Sequence, residues 1–420
     1  MKKNISLLLI LVLVLSLSLC AGCKKEDAAT DNNSSALPEE PAQDERPRGE
    51  ALLEEELPYE KYIYEDGFYT FGKDFPTLDF GEAKGYHGDI TINIIGDSIS
   101  EGAQAKAIYN NGYPALFKNS LNKTIDSKNW GFVIPFGTNG NGDKDLHMFY
   151  AESGGWLRET HSPSTPGFVC YRSGDAAGST AVIELDRRAE GVDRNINGFY
   201  LYYSSGPTYG GFDVYVNDTK VYSVAGKGKL NLMARTEYIA IPDGTRNNFK
   251  IRVQKTDSEM VSINGVCYAE KDGGVFVNTY ACSGMTACEV NNSLLKDMCK
   301  ANYVIFALGY NDVGKDDPVT YAQKLQVVVD ACKESGATLI CLDFMWNPSN
   351  ASTSWGQDIK SAMFDAAKNA NGYYIDFTYL IKVDRDFVLA DAAHPTPKGY
   401  KLVARKLCYF FGIPFSSNFD

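Results

Sequence analysis

Histidine is scarce in this chain: four residues, His87, His147, His161 and His394, among 420. They are scattered without any ligand spacing, which argues against a histidine-built metal centre, and neither a metal nor any other cofactor is expected. Beyond residue 23, eight cysteines (Cys170, Cys267, Cys282, Cys288, Cys299, Cys332, Cys341 and Cys408) contain no Cys-x-x-Cys pair, which removes zinc ribbons and dithiol redox chemistry. Several lie on apolar faces, where a free thiol acts as a small hydrophobe. Cys282 and Cys288 are close enough in sequence to bridge. Positive charge is short as well: 41 Lys and Arg against 53 Asp and Glu, a net charge of −12, which argues against a nucleic-acid partner. Aromatic and β-branched residues are nearly missing from 24–58, so that segment cannot bury enough apolar surface to fold and reads as a tether. It also carries over half of the net negative charge, which places the acidity on the tether.

Ahead of the tether, Met1-Lys2-Lys3 and the apolar run Ile5 to Leu19 form a signal peptide over 1–22. Cys20-Ala21-Gly22-Cys23 resembles a bacterial lipobox, with Cys20 where leucine is usual. The resemblance implies lipidation of Cys23, an acidic spacer over 23–58 and an extracytoplasmic enzyme held to a membrane by its N-terminal lipid. The other reading is an ordinary cleaved signal and a secreted chain.

Chemistry begins at Ile90 to Ile95, a β-branched run that reads as a buried strand ending at Gly96-Asp97-Ser98. Such a turn puts Ser98 at the C-terminal edge of a sheet and in the first turn of a helix, where backbone N–H groups stabilise developing negative charge. A serine nucleophile needs a base and an orienting acid. Asp391-Ala392-Ala393-His394 supplies both within one turn, the carboxylate on one ring nitrogen and the other nitrogen toward the serine. A second buried strand, Val304 to Leu308, runs into Gly309-Tyr310-Asn311-Asp312 and lands Asn311 where a side-chain amide can donate to an oxyanion.

These three segments, in this order, resemble blocks I, III and V of the SGNH (GDSL-type) hydrolase superfamily. Gly284, after the strand Val275 to Thr279, is the candidate for the intervening glycine block. The resemblance implies Ser98, His394 and Asp391 as catalytic residues and the Ser98 N–H, Gly284 N–H and Asn311 amide as oxyanion donors. Asp97 and Asp312 would brace their loops.

From Gly274 onward, strands alternate with helices, signalled by Asp317-Pro318 and Thr396-Pro397 as helix starts. That pattern means a parallel sheet with helices on both faces, and five strands in this block order resemble the flavodoxin-like three-layer α/β arrangement of the superfamily. Residues 59–131 and 273–420 form this domain, with 59–87 as a flanking cap. The interval 132–272 changes to short period-two runs (198–203, 212–217, 220–222 and 249–253) between glycine and Asn/Asp turns, an inserted β-sandwich of jelly-roll type. Alternation puts Phe199, Leu201 and Tyr203 in its core and Tyr200, Tyr202 and Tyr215 outward as a sugar-stacking face. The expected function is a serine esterase that removes O-acetyl groups from a polysaccharide, either a plant glycan or peptidoglycan. Lipase-like hydrolysis, acyl transfer, or a carbohydrate-binding surface lipoprotein with a vestigial hydrolase half are the alternatives.

Overall fold

The computed structural model describes residues 63–76, 78, 89–105, 111–127, 129–134, 147–174, 177–185, 197–243, 249–270, 274–382 and 388–416. The signal segment, Cys23, the tether and His87 lie outside the described residues.

The central sheet holds six strands: β1 (Phe68–Tyr69), β2 (Asp89–Gly96), β3 (Gly274–Ala281), β4 (Tyr303–Ala307), β5 (Thr338–Asp343) and β6 (Tyr373–Asp376). Their spatial order is β1-β6-β5-β4-β2-β3. The last five are mutually parallel and form the 2-1-3-4-5 order of doubly wound folds. β1 adds an antiparallel edge strand, so the aromatic segment expected as a flanking cap extends the sheet itself. In β2, Ile92 and Ile94 pack with helices α2 (Tyr113–Ile125) and α6 (Pro397–Phe410). Ile95 faces the other way, into the layer of α3 (Asn292–Met298), α4 (Pro318–Ser335) and α5 (Ser354–Asn369). The helix starts follow from capping: Asp317 accepts from Thr320 N, and Thr396 from Gly399 N. Among the described residues no helix is long and apolar enough to cross a membrane.

The insert is two antiparallel sheets. One has five strands, in the order Thr219–Val224, Phe212–Val216, Lys250–Lys255, Thr180–Leu185, His147–Ser153. The other has seven, built around Gly198–Ser205 and Val261–Ala269, and includes Gly131–Val133, where the chain enters the insert. Phe199, Leu201 and Ile263 from the second sheet meet Phe212, Val214, Val216 and Val253 from the first in one core. Trp156 also lies there, stacked on Tyr171.

The opposite face of the seven-stranded sheet is not free. Phe132, Tyr202 and Cys267 join Tyr280 of β3 and Leu294 and Met298 of α3 in one continuous cluster. Tyr202, expected to point into solvent, is buried, with Phe132 edge-on at 5.1 Å between ring centroids. Tyr200 is half-buried, under the Arg235 guanidinium at 4.6 Å and edge-on to Tyr238. The correction has a physical origin: alternation identifies two faces, and here both find apolar partners. Tyr215 alone of the three lies on a face away from either core, beneath Arg252.

A buried chain of amides stitches the insert to the sheet. Asn93 Nδ2 donates to Met298 O, Asn278 Nδ2 to Asn93 Oδ1 at 2.8 Å, and Phe132 N to Asn278 Oδ1 at 2.7 Å. All eight described cysteines are free, Cys282 and Cys288 included.

Candidate active site

β2 ends at Gly96, where an added Cβ would stand 2.1 Å from Ser100 Oγ, so only glycine lets the chain turn this tightly into α1 (Ser98–Glu101). Asp97 caps α1, its carboxylate accepting from Ile99 N at 3.0 Å. Ser98 thus stands at the first position of that helical turn, 9% exposed.

The partner loop comes from the opposite end of the chain. His394 Nε2 lies 2.9 Å from Ser98 Oγ, and His394 Nδ1 lies 2.9 Å from Asp391 Oδ2. The other carboxylate oxygen, Oδ1, accepts from Ala393 N and His394 N at 2.7 Å each. Burial alone would raise the Asp391 carboxyl; these donors and the imidazole outweigh it and hold the group below the usual carboxylate range. With an ionised acid on Nδ1, that nitrogen carries the proton and Nε2 is left to accept from the serine. The loop is held from outside by Trp346 Nε1, which donates to Ala393 O at 2.8 Å, and by Tyr310 OH, which donates to Ala392 O at 3.1 Å.

Asn311 stands beside the serine turn. Its Nδ2 donates to Asp97 Oδ2 at 3.2 Å and to Met285 O at 3.3 Å, both long. Asp312 is turned away and accepts from Ala287 N at 3.0 Å and Cys288 N at 3.3 Å, fixing the loop that follows Gly284. Burial lifts Asp97 to about 7, opposed by Ile99 N–H and reinforced by Asp312. Burial likewise lifts Asp312 to about 6 against its backbone donors. Gly284 has φ +79, a left-handed conformation suited to glycine.

Sequence reasoning missed two residues here. Glu101, at the end of α1, accepts from Ser283 N at 2.6 Å and from Ser283 Oγ, so it ties the serine turn to the glycine loop. Burial lifts its carboxyl above the ordinary range against those two bonds. His161 comes from the insert: a Cβ on Gly284 would meet its Cε1 at 3.1 Å. A lone loop histidine carries no local signal of such a placement. Among the described residues, Cys288, Asp312 and Asp316 bring one ligand atom each within 4.8 Å. Burial first, and then Asp312 and Asp316, push the Cys288 thiol up to about 12.

Residues 263–402 match the model of the GDSL-like lipase/acylhydrolase family. That span holds Gly284, Asn311, Asp391 and His394; Ser98 lies ahead of the insert, outside it. Among solved structures, the chain is similar to one described as a peptidoglycan O-acetylesterase in action, 16% identical over 77% of this chain and 90% of that one, TM-score 0.58. A psychrotrophic esterase from Pseudoalteromonas sp. is 18% identical over 33% of this chain and 76% of its own, TM-score 0.28. A family two carbohydrate esterase mutant from Clostridium thermocellum is 11% identical over 61% and 97%, TM-score 0.25. Among curated proteins none matches. The family match over 263–402, seated on the 2-1-3-4-5 sheet, gives the chain a GDSL/SGNH hydrolase domain and makes it an enzyme of the esterase/acylhydrolase class.

Proposed function

We propose that this chain is an extracytoplasmic, lipid-anchored serine esterase that removes O-acetyl groups from a polysaccharide. Ser98 Oγ attacks the ester carbonyl while His394 Nε2 takes its proton and later returns it to the leaving alcohol; Asp391 keeps the imidazole in the required tautomer. Water then resolves the acyl-enzyme by the same relay. The oxyanion is held by the Ser98 and Gly284 N–H groups and by Asn311 Nδ2, whose long bond to Met285 O is the one most readily exchanged. The carrying observation is the unbroken hydrogen-bonded line from Asp391 through His394 to Ser98. That line also argues against a vestigial hydrolase half.

For the substrate, support comes from extent. The similarity to the peptidoglycan O-acetylesterase covers 77% of this chain, more than the segments 59–131 and 273–420 can supply, so it reaches into the insert. The anchor rests on the Cys23 motif and the acidic spacer.

The test is p-nitrophenyl acetate hydrolysis by the parent and by Ser98→Ala, followed by acetate release from O-acetylated peptidoglycan against acetylated xylan. Ser98→Ala is expected to lose activity by at least about 10³-fold with its melting temperature unchanged. A variant as active as the parent would end the assignment.

A further inference from the structure

The residue with the least explanation is His161. It is an exposed side chain on an insert loop, yet its backbone has φ 57, a region that a histidine adopts at some cost. The loop around it is tightly built. Ser162 and Thr165 are buried, Ser162 N donates to Phe168 O at 2.9 Å, and Asn291 N, on the hydrolase side, donates to Pro163 O at 2.8 Å. A rigid loop with a strained tip, seated on the segment that follows Gly284, fixes where the imidazole stands. Its exposed ring lies against Gly284, where an added Cβ would stand 3.1 Å from Cε1 and 3.8 Å from Nε2, and it is close enough to Glu101 to act on that carboxylate.

We infer that His161 is a specificity-determining residue that contacts the sugar part of the ester, so that the insert takes part in substrate selection through this one side chain. The inference rests on the esterase reading above. The acyl group of an acetyl ester is two carbons and ends close to Ser98. Whatever reaches an exposed ring beside the oxyanion turn is therefore the alcohol portion. An imidazole offers one donor and one acceptor, a match for vicinal hydroxyl groups on a pyranose and without counterpart on a nitrophenyl ring. His161 lies next to Gly284 rather than to Ser98 Oγ, which His394 already serves, so no proton transfer is assigned to it.

The test uses the full chain with two variants chosen for the backbone at 161. His161→Gly removes the ring and suits positive φ, so its melting temperature should hold or rise. Asn tolerates the same backbone region and keeps a donor and an acceptor, so His161→Asn should rescue binding. On soluble O-acetylated peptidoglycan fragments or acetylated xylo-oligosaccharides, His161→Gly should raise KM about tenfold with kcat within about threefold, the scale of one or two lost hydrogen bonds. The loss on p-nitrophenyl acetate should be several-fold smaller. Equal losses on glycan and nitrophenyl esters, or an unmoved glycan KM, would overturn the inference alone. A parent inactive on every ester would overturn the esterase reading and this one with it.

Discussion

The two sheets of the insert obey the same alternation and end in different surroundings. In Phe212–Val216, Phe212, Val214 and Val216 face the core while Asp213 and Tyr215 are half-exposed, so the outer sheet has one dry side and one wet side. Val261–Ala269 in the inner sheet is buried at every position, because its second face is pressed against β3 and α3. The outer sheet is therefore part of a module; the inner sheet is a shared wall of the hydrolase. A period-two pattern reports that a strand has two sides, and says nothing of what the polar-looking side will meet.

That contrast sets the predictions. The benchmark is a residue of the chemistry itself: Asn311→Ala should lower turnover by about 100- to 1,000-fold with little change in melting temperature, as for one lost oxyanion donor. An effect confined to KM would assign Asn311 to ground-state binding instead. Tyr202→Ala, in the shared wall, should act the other way round. It should destabilise the whole protein by about 3 kcal/mol, a large aromatic truncated in a core, while the folded fraction keeps its kcat. Unfolding followed by denaturant checks this, and a two-step transition with only the insert lost would break the shared-wall picture. Tyr215→Ala, on the outer sheet, should cost only about 0.5 to 1 kcal/mol, the worth of its stacking with Arg252. If Tyr215 instead proved as costly as Tyr202, the two sheets would not differ as described.

A pH experiment probes the hydrolase side of that wall. Asp97 at about 7 and Asp312 at about 6 lie above the roughly 3.9 of an unfolded aspartate. Raised folded values mean that the stability these groups lend is complete below about pH 4 and is lost as pH climbs through 6 to 7. Asp391, held low, has the opposite sign, its contribution vanishing only as pH falls below its own depressed value. Stability should thus decline between pH 4 and 7, and Asp97→Ala should flatten the decline by on the order of 1–3 kcal/mol. Melting temperatures across that window, parent against variant, measure the difference; identical slopes would remove Asp97 as its source.

Much of this was readable from residues alone, because local chemistry dictated it. The run Ile92, Ile94, Ile95 has one environment available, and Gly96 one reason to exist. The Asp-x-x-His spacing places Asp391 and His394 within one turn by chain geometry. Helix starts at Asp317 and Thr396 came from capping rules. What stayed hidden was set by long-range packing. Tyr202 is buried because α3 arrives on its far side; Glu101 matters because Ser283 comes within 2.6 Å of it; Trp346 holds the histidine loop from 47 residues away. None of those meetings has a signature near the residue concerned. The site's acids and bases are local inventions, while its walls are products of assembly.

The buried amide pair Asn93 and Asn278 joins strands that are spatial neighbours but 185 residues apart in the chain. During synthesis β2 therefore emerges with the catalytic serine long before β3, its partner, exists. Until then it is an unpaired apolar strand, the kind of edge that invites wrong pairing. The insert offers a way out, because its first and last strands are paired to each other, Val133 with Val266 and Gly131 with Tyr268. Once it folds, the two ends of a long loop are clasped side by side, and β3 is delivered to β2 almost as in a short connection. The pairing of its two ends thus makes the insert a short spatial bridge between the nucleophile's strand and its neighbour β3.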